Sequence, residues 1–562
     1  MLIYGNNVND FDHNEKMIFA EQEKNIKYKL GNINIIVKYD YDNKNNYYTN
    51  GNLTCLYLGQ PYYLKQKVDA KQIIEMKNKR NICFKKLSGA FLLLLYDSKK
   101  EKLTIYRSVL FMDTIYYKIG DIIEFSNVLN NIAINDIKKI SREYINEYLC
   151  LPLNSYIKTT PYIDVYRLIP GECVEIYLSK KKSKTKFLKK INYSLKTTKL
   201  KEDKCASEYY RLFEESVKDL LINSNKKIKI YASGGLDSSA IIYVIYELIN
   251  KEKFDKDILL VHKKYKNDSL ENDYLEDLNK ITNFKIDYEE ISENSIFKNI
   301  DVEQQIGVCE PSLELLTNID SNENNKKIFQ EDITIFSGYG GDQLLYSNLI
   351  NETDNQLEKV FSFINSKRIL LNKLDYICCQ HLKDKIIRQQ YLIKYGIIRS
   401  REKKLLTFGH KNPYKTVKFS NYYLLYPHNI NSSFDIKYPF CDERLIDFCF
   451  NMNSKYYYNN VTKYIFRKAF ANKLPKSIVE RKDKTATYNT FNLTIKKYEE
   501  NIWKIFENSI LVKENIFDKE KYRSSIYKFI NASMIDFIGF LNILALDYWL
   551  ILQYNLGGKI YD

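Results

Sequence analysis

Seven consecutive residues, Ser233-Gly-Gly-Leu-Asp-Ser-Ser239, combine two adjacent glycines, three hydroxyls and one carboxylate. Glycines let a backbone approach a bound group closely, and a helix that starts just after them offers unpaired N–H donors, an arrangement suited to phosphate. The P-loop differs, because it carries a Lys before its Ser/Thr. Here Asp237 sits inside the turn, and a carboxylate beside phosphates is favourable only with a divalent cation between them. Ser233, Gly234, Gly235, Leu236, Asp237, Ser238 and Ser239 therefore read as a pyrophosphate cradle with Asp237 as a metal ligand. The plain alternative is a strand-turn-helix corner capped by Ser. A second glycine loop, Ser337-Gly-Tyr-Gly-Gly-Asp342, repeats the pattern. Asp342 takes the same kind of position as Asp237, and two such groups at the ends of two strands can share one magnesium-pyrophosphate.

The elements that must position these loops follow from pattern. Before the first loop runs Lys229-Ile-Tyr231, and after it the apolar helical stretch Ala240 to Ile249. An amphipathic helix is expected over 206–221, a strand over 258–262, a helix over about 270–281 and a strand before the second loop. Strand alternating with helix implies a parallel sheet covered on both faces. Ligands then gather at the carboxyl ends of the strands, where both loops fall. From about 355 to the end the chain reads as mostly helical, with Tyr-rich segments over 355–430 able to line a cleft. Within it, Lys437-Tyr-Pro-Phe-Cys-Asp-Glu-Arg-Leu445 opens a helix with Pro and acidic residues in its first turn. Arg481, Lys482 and Lys484 fall in a loop after a helix stop, either a solvated basic turn or a group facing phosphate.

Residues 1 to about 195 read as β-rich. Short apolar or alternating runs (33–39, 53–58, 91–96, 102–106, 122–126 and 173–177) are broken by Asn, Gly, Asp and Lys, with helical patches near 67–77 and 141–150. This is the signal of an α+β domain with packed sheets. The Lys-rich stretch 180–186 reads either as a domain boundary or as a charged hairpin tip.

With 562 residues the chain is long enough for two domains and a sizeable core. No apolar run reaches the roughly eighteen residues of a membrane span, and no secretory segment precedes the first strand, so a cytoplasmic protein without a membrane role is expected. Ten Cys occur without zinc spacing and read as reduced, structural thiols. The net charge of +16 and the 49 Tyr are spread along the chain. With no nucleic-acid motif beside them, they mark solvated surface and core rather than a nucleic-acid interface.

Taken in order and spacing, Ser233 to Ser239, Ser337 to Asp342, Tyr438 to Leu445 and Lys463-Tyr-Ile-Phe-Arg467 resemble the asparagine synthetase family. Upstream, Leu87-Ser-Gly-Ala-Phe91, Tyr96-Asp97, Arg107, Tyr116-Tyr117, Phe125-Ser126 and Leu168-Ile-Pro-Gly171 resemble that family's amidotransferase domain. The resemblance implies a two-domain fold. Residues 1–200 form an α+β glutaminase-like domain of Ntn type, layered αββα. Residues 201–562 form an α/β PP-loop synthetase domain with a parallel sheet and a helical C-terminal part. It implies ATP and Mg2+ as cofactors, with Val261 and Gly338 joining the nucleotide-binding set.

Glutamine-using members of the family carry a Cys immediately after the initiator Met; here Leu2 stands there and the first Cys is Cys55. Glutamine hydrolysis is therefore not expected, which points to the ring-closing branch, the lasso peptide cyclases and β-lactam synthetases. In the β-lactam-forming relatives the position of Tyr339 belongs to a Tyr-Glu pair that deprotonates the attacking nitrogen, the alternative being a turn residue packed over the nucleotide; Asp375 stands near the partner's separation without matching it. Arg481-Lys-Asp-Lys-Thr485 resembles the lasso type of ending, and Cys309-Glu-Pro-Ser312 resembles an element lining the acceptor site, with Cys309 as a departure. The implied set is Tyr339, Lys484 and Lys482 in catalysis, Asp237 and Asp342 on metal, and Glu310, Ser312, Gly340 and Gly341 toward substrate. The implied activity is ATP-dependent adenylation of a carboxylate and macrolactam closure in a ribosomal precursor peptide, with a leader-binding protein and a leader peptidase as partners. An ammonia-dependent asparagine synthetase, a β-lactam synthetase-like enzyme and an inactive nucleotide-binding scaffold are the alternatives.

Overall fold

The computed structural model describes residues 2–7, 25–38, 45–63, 66–78, 84–109, 111, 114–133, 139–150, 159–188, 200–265, 269–291, 296–303, 310–311, 313–316, 333–345, 435–452, 456, 461–481, 494–531 and 537–561. Within the N-terminal region, a pair of six-stranded antiparallel sheets lies face to face. One has the strand order 165–168, 115–119, 123–126, 2–6, 33–38, 25–30; the other has 182–187, 172–177, 102–107, 91–97, 53–59, 47–50. The run Phe91–Asp97 is buried at every position because its sheet is covered on both sides. Leu92 and Leu94 face the other sheet, packing with Ile35, Val37 and Phe125. Leu93 and Leu95 face the helix Ala70–Asn78 through Ile73 and Ile74. The outer face of the first sheet, through Tyr116 and Val165, packs on Tyr144, Ile145 and Tyr148 of the helix Arg142–Cys150. The layers therefore run helix, sheet, sheet, helix.

Residues 180–186 resolve in favour of a hairpin: Lys182–Phe187 returns antiparallel to Glu172–Tyr177 as an edge strand. Its lysines keep the outer edge solvated, a common protection against edge-to-edge association.

The C-terminal region holds a five-stranded parallel sheet. In chain order its strands are β1 (Lys227–Tyr231), β2 (Asp257–Tyr265), β3 (Lys285–Ile291), β4 (Ile333–Phe336) and β5 (Asp435–Lys437). In space they run β3-β2-β1-β4-β5, every pairing parallel. The helices that bear on the site are α1 (Glu202–Ile222), α2 (Leu236–Glu252), α3 (Ser269–Thr282), α4 (Gly341–Leu344), α5 (Glu443–Phe450) and α6 (Tyr464–Phe470). Apolar residues of α1, α2, α3, α5 and α6 share one core with the sheet, including Phe213, Ile241, Leu275, Leu445 and Phe466.

The N- and C-terminal regions are joined by a third core. The last long helix, Phe537–Asn555, is apolar nearly all round because it runs through this core. Trp549 is fully buried and meets Tyr162 of the N-terminal region edge-on. The C-terminal strand Lys559–Tyr561 pairs in parallel with Lys139–Ser141. Among the described residues no helix is long and apolar enough to cross a membrane.

The carboxylate of Asp547 lies inside this core. Asp547 accepts from the N–H groups of Ile510 and Leu511 at 3.1 and 3.2 Å and from the Tyr522 hydroxyl at 3.2 Å. Burial pushes its carboxyl up to about 6, and the hydrogen bonds offset only some of that. A folded-state value above the unfolded one stabilises the fold at low pH, and that stabilisation is lost as pH rises through about 6. Asp547→Asn removes the titration. Unfolding measured by denaturant at pH 4 and pH 7 should show the variant gaining up to about 3 kcal/mol on the wild type across that interval. An unchanged difference would show that Asp547 is ionised in the fold throughout.

Candidate active site

β1 and β4 are central neighbours, with Lys227 beside Ile333 and Ile230 beside Phe336. The strands that follow them, β2 and β5, lie on opposite sides, so the order reverses between β1 and β4. At such a switch point two loops leave adjacent strand ends in opposite directions and open a crevice. The loops that leave here are the two glycine loops predicted from sequence.

The first loop is held by the middle of β2. The Ala232 N–H donates to the Val261 carbonyl at 2.9 Å, and the His262 ring nitrogen Nδ1 pairs with the Ala232 carbonyl at 2.7 Å. Val261 thus acts here through its main chain, its side chain being buried. Gly234 turns the chain at φ 61, a conformation that glycine adopts without steric cost. α2 starts at Leu236, so Asp237 and Ser238 occupy its first turn. The Ser233 and Ser238 hydroxyls lie 3.3 Å apart, and Ser233 Oγ accepts from the Gly235 N–H at 3.4 Å. Ser239 is fully buried, its hydroxyl without a hydrogen-bond partner among the described residues.

The second loop comes in against Asp237. A Cβ built on Gly341 would stand 2.5 Å from Asp237 Oδ1, so only glycine allows this approach. Gly338, Tyr339 and Gly340 form the turn, and Gly341 and Asp342 start the short helix α4. The Tyr339 N–H donates to Ser337 Oγ at 3.2 Å, and its ring meets Tyr438 edge-on. Burial, then Cys441 and Tyr438, push the Tyr339 hydroxyl well above its ordinary range. In this state the hydroxyl is a proton donor.

Sequence reading missed the residue at the centre. Lys463 Nζ lies 2.5 Å from Asp237 Oδ2 and 2.8 Å from Asp342 Oδ1. Burial alone would push the ammonium down, but the two carboxylates outweigh it and hold it above its usual value. In the sequence Lys463 stands out only as one member of a motif. Its one local signal is a Lys directly ahead of an apolar helix, and nothing nearby names its partners.

The start of the basic segment also reaches this place. Arg481 donates to the Gly234 carbonyl at 3.3 Å and lies over the Tyr274 ring of α3 at 4.4 Å. Arg467 donates to the Thr462 and Val479 carbonyls at 2.8 and 2.5 Å, tying α6 to the turn that leads to Arg481. Lys482, Lys484, Ser312, Asp375 and the stretch 355–430 lie outside the described residues. Glu310 is described and buried: it forms an ion pair with Arg167 and accepts from the Tyr116 hydroxyl at 3.2 Å, joining the N- and C-terminal regions. Its carboxylate is committed to that pair. Cys55 lies buried in mid-strand, and burial pushes its thiol well above the ordinary range. A neutral, enclosed thiol is a poor nucleophile.

The donor set suits a magnesium ion. Asp237 and Asp342 supply hard oxygen ligands with side chains 22% and 28% exposed, open enough for water and phosphate to complete a shell. Among the described residues no cluster of three or more metal-binding side chains occurs.

Gly341→Ala tests the approach of the two loops. Overpacking of this kind costs about 1–3 kcal/mol. Thermal or denaturant unfolding should show that loss relative to Gly120→Ala, where the nearest atom to an added Cβ is 3.9 Å away. In an Asp237→Ala background the loss should shrink; a full loss there would locate the strain elsewhere.

Among the solved structures matched, glutamine phosphoribosylpyrophosphate amidotransferase from B. subtilis, complexed with ADP and GMP, shares 9% identity over 60% of this chain and 90% of its own, at a TM-score of 0.22. That score is too low to speak for the fold. No curated protein matches by sequence. Residues 430–550, which carry β5, Lys463 and Arg481, match the asparagine synthase family, supporting the asparagine synthetase resemblance for that stretch of the chain.

Proposed function

We propose that the chain is an ATP-dependent amide-bond-forming ligase that adenylates a carboxylate and closes a macrolactam ring in a ribosomal precursor peptide, without glutaminase activity. The observation that supports it most is the meeting of Asp237, Asp342 and Lys463 between two glycine loops at the switch point of the sheet.

Amide formation from a free carboxylate is uphill in water, so its oxygen must first become part of a leaving group. In this reading the carboxylate attacks the α-phosphorus of ATP and pyrophosphate departs. The backbone and hydroxyls of Ser233 to Ser239 hold the departing group at the start of α2. Asp237 and Asp342 would hold a magnesium ion, which would supply neutralising charge to the phosphates. The peptide's α-amine then attacks the acyl carbon and AMP leaves. Lys484 or Lys482, directly after Arg481 in sequence, neutralises the negative charge that builds on the tetrahedral oxygen. Tyr339 takes or relays the amine proton. Its hydroxyl is held protonated in the unliganded chain, so accepting a proton requires a cation that arrives with substrate or from the basic segment. Ring closure gains from a preorganised peptide that holds amine and acyl carbon at attack distance. Gly340 and Gly341 border the substrate side, with Ser312 as a further polar contact; Glu310 serves substrate through the interface it secures. The partners of this reading are the peptide, a leader-binding protein and a leader peptidase, since the α-amine appears only after the leader is cut.

The first experiment measures pyrophosphate release from ATP with candidate peptides. Asp237→Ala and Asp342→Ala should each lower it by about a hundredfold or more, the scale on which transition-state charge stabilisation is lost; release that survives both removes the metal assignment. Mass spectrometry of the products separates the readings. Loss of one water from a peptide supports ring closure, whereas amidation of aspartate by ammonium supports an asparagine synthetase.

A further inference from the structure

The ammonium of Lys463 lies where a cation shared by Asp237 and Asp342 belongs, and three features mark it as built. Lys463 is 5% exposed, although lysine is rarely buried without a partner. It touches two carboxylates from the first turns of two helices that follow two different strands. Its backbone stands at φ 58, in the left-handed region that side chains other than glycine seldom adopt. The buried residues Ile465, Phe466 and Phe470 of the helix that follows fix it in that conformation. A strained backbone held by packing, with its side chain directed between two acids, indicates a position maintained for the ion it carries.

We propose that Lys463 is an exchangeable internal counter-ion: it occupies the carboxylate pair in the nucleotide-free protein, excludes a divalent cation arriving alone, and yields the pair only when that cation arrives with a polyphosphate. Charge balance gives the reason. Two carboxylates and one ammonium carry one net negative charge, too little to draw a strongly hydrated divalent cation from water. A polyphosphate adds several negative charges, so both cations can then be accommodated. The metal takes the carboxylate oxygens, and the released ammonium, still tethered at the mouth of the first loop, turns to the phosphates. The device makes metal and polyphosphate binding mutually dependent. Which polyphosphate arrives rests on the function proposed above; the exchange itself concerns only this chain and the metal.

The test uses Mn2+ as probe, with no nucleotide, on the full chain, followed by electron paramagnetic resonance or calorimetry. Lys463→Gln should bind Mn2+ at least about tenfold more tightly than wild type, a coupling of ordinary size between two ligands of one site. Lys463→Arg should bind it as weakly as wild type, and adding Asp342→Asn to Lys463→Gln should cancel the gain. Equal Mn2+ affinity in wild type and in folded Lys463→Gln overturns the proposal, as does an Arg variant that binds as tightly as the Gln variant. Should Lys463→Gln fail to fold, wild type decides alone. Mn2+ and inorganic pyrophosphate should each bind at least about tenfold more tightly in the presence of the other, because such coupling is reciprocal, and independent binding overturns the exchange. Pyrophosphate release from ATP is assayed separately, so its absence would remove the ligase reading and leave the Mn2+ result standing.

Discussion

Two carboxylates sharing one buried ammonium form the constraint on which the rest of the C-terminal region depends. Asp237 and Asp342 stand in the first turns of the helices that follow two adjacent strands, close enough for a single nitrogen to touch both. Like charges that close repel unless a cation lies between them. The cation comes from the start of a third element, α6, whose apolar face is anchored in the core shared by α1, α2 and α5. Gly341 permits the approach and Gly234 the turn, while Ala232 is gripped by Val261 and His262 of the neighbouring strand. Moving any one of these elements would separate the charges or bury one of them unpaired.

The N-terminal region supports this arrangement from a distance. Its sheets are packed on both faces, and its outer layer is completed by helices from the far end of the chain. The buried Arg167–Glu310 pair belongs to the same junction. Breaking a buried ion pair strands the remaining charge, which costs about 3–5 kcal/mol. This chain ties its N- and C-terminal regions with an apolar core and such a pair. Glu310, expected from sequence beside the substrate, pairs with Arg167 at this junction.

Much of the fold was legible in the residues because periodicity is local. The runs at 33–39, 53–58, 91–96 and 102–106 became strands within a residue or two, and the helices expected near 67–77 and 141–150 formed at 70–78 and 142–150. The alternation after 203 announced the parallel sheet, and the two glycine loops fell at its carboxyl edge as strand-turn-helix grammar requires. Where the pattern was silent, pairing decided. The lysines of 182–187 suited a linker or an edge strand equally well, since solvated charge satisfies both, and only pairing with Glu172–Tyr177 made it a strand.

By itself the sequence picked out the residues whose types suit phosphate and metal: the glycines, hydroxyls and carboxylates of two loops, each recognisable from neighbours a few positions away. Tertiary structure alone decided that Lys463, 226 residues from Asp237, fills the gap between the two acids. It also decided that Glu310 belongs to Arg167, and that the C-terminal strand closes onto residues 139–141. The physical reason is range. Turn and helix propensities are settled within about a turn of chain, whereas the burial of charge is settled by whichever element the packing of the whole core brings to it.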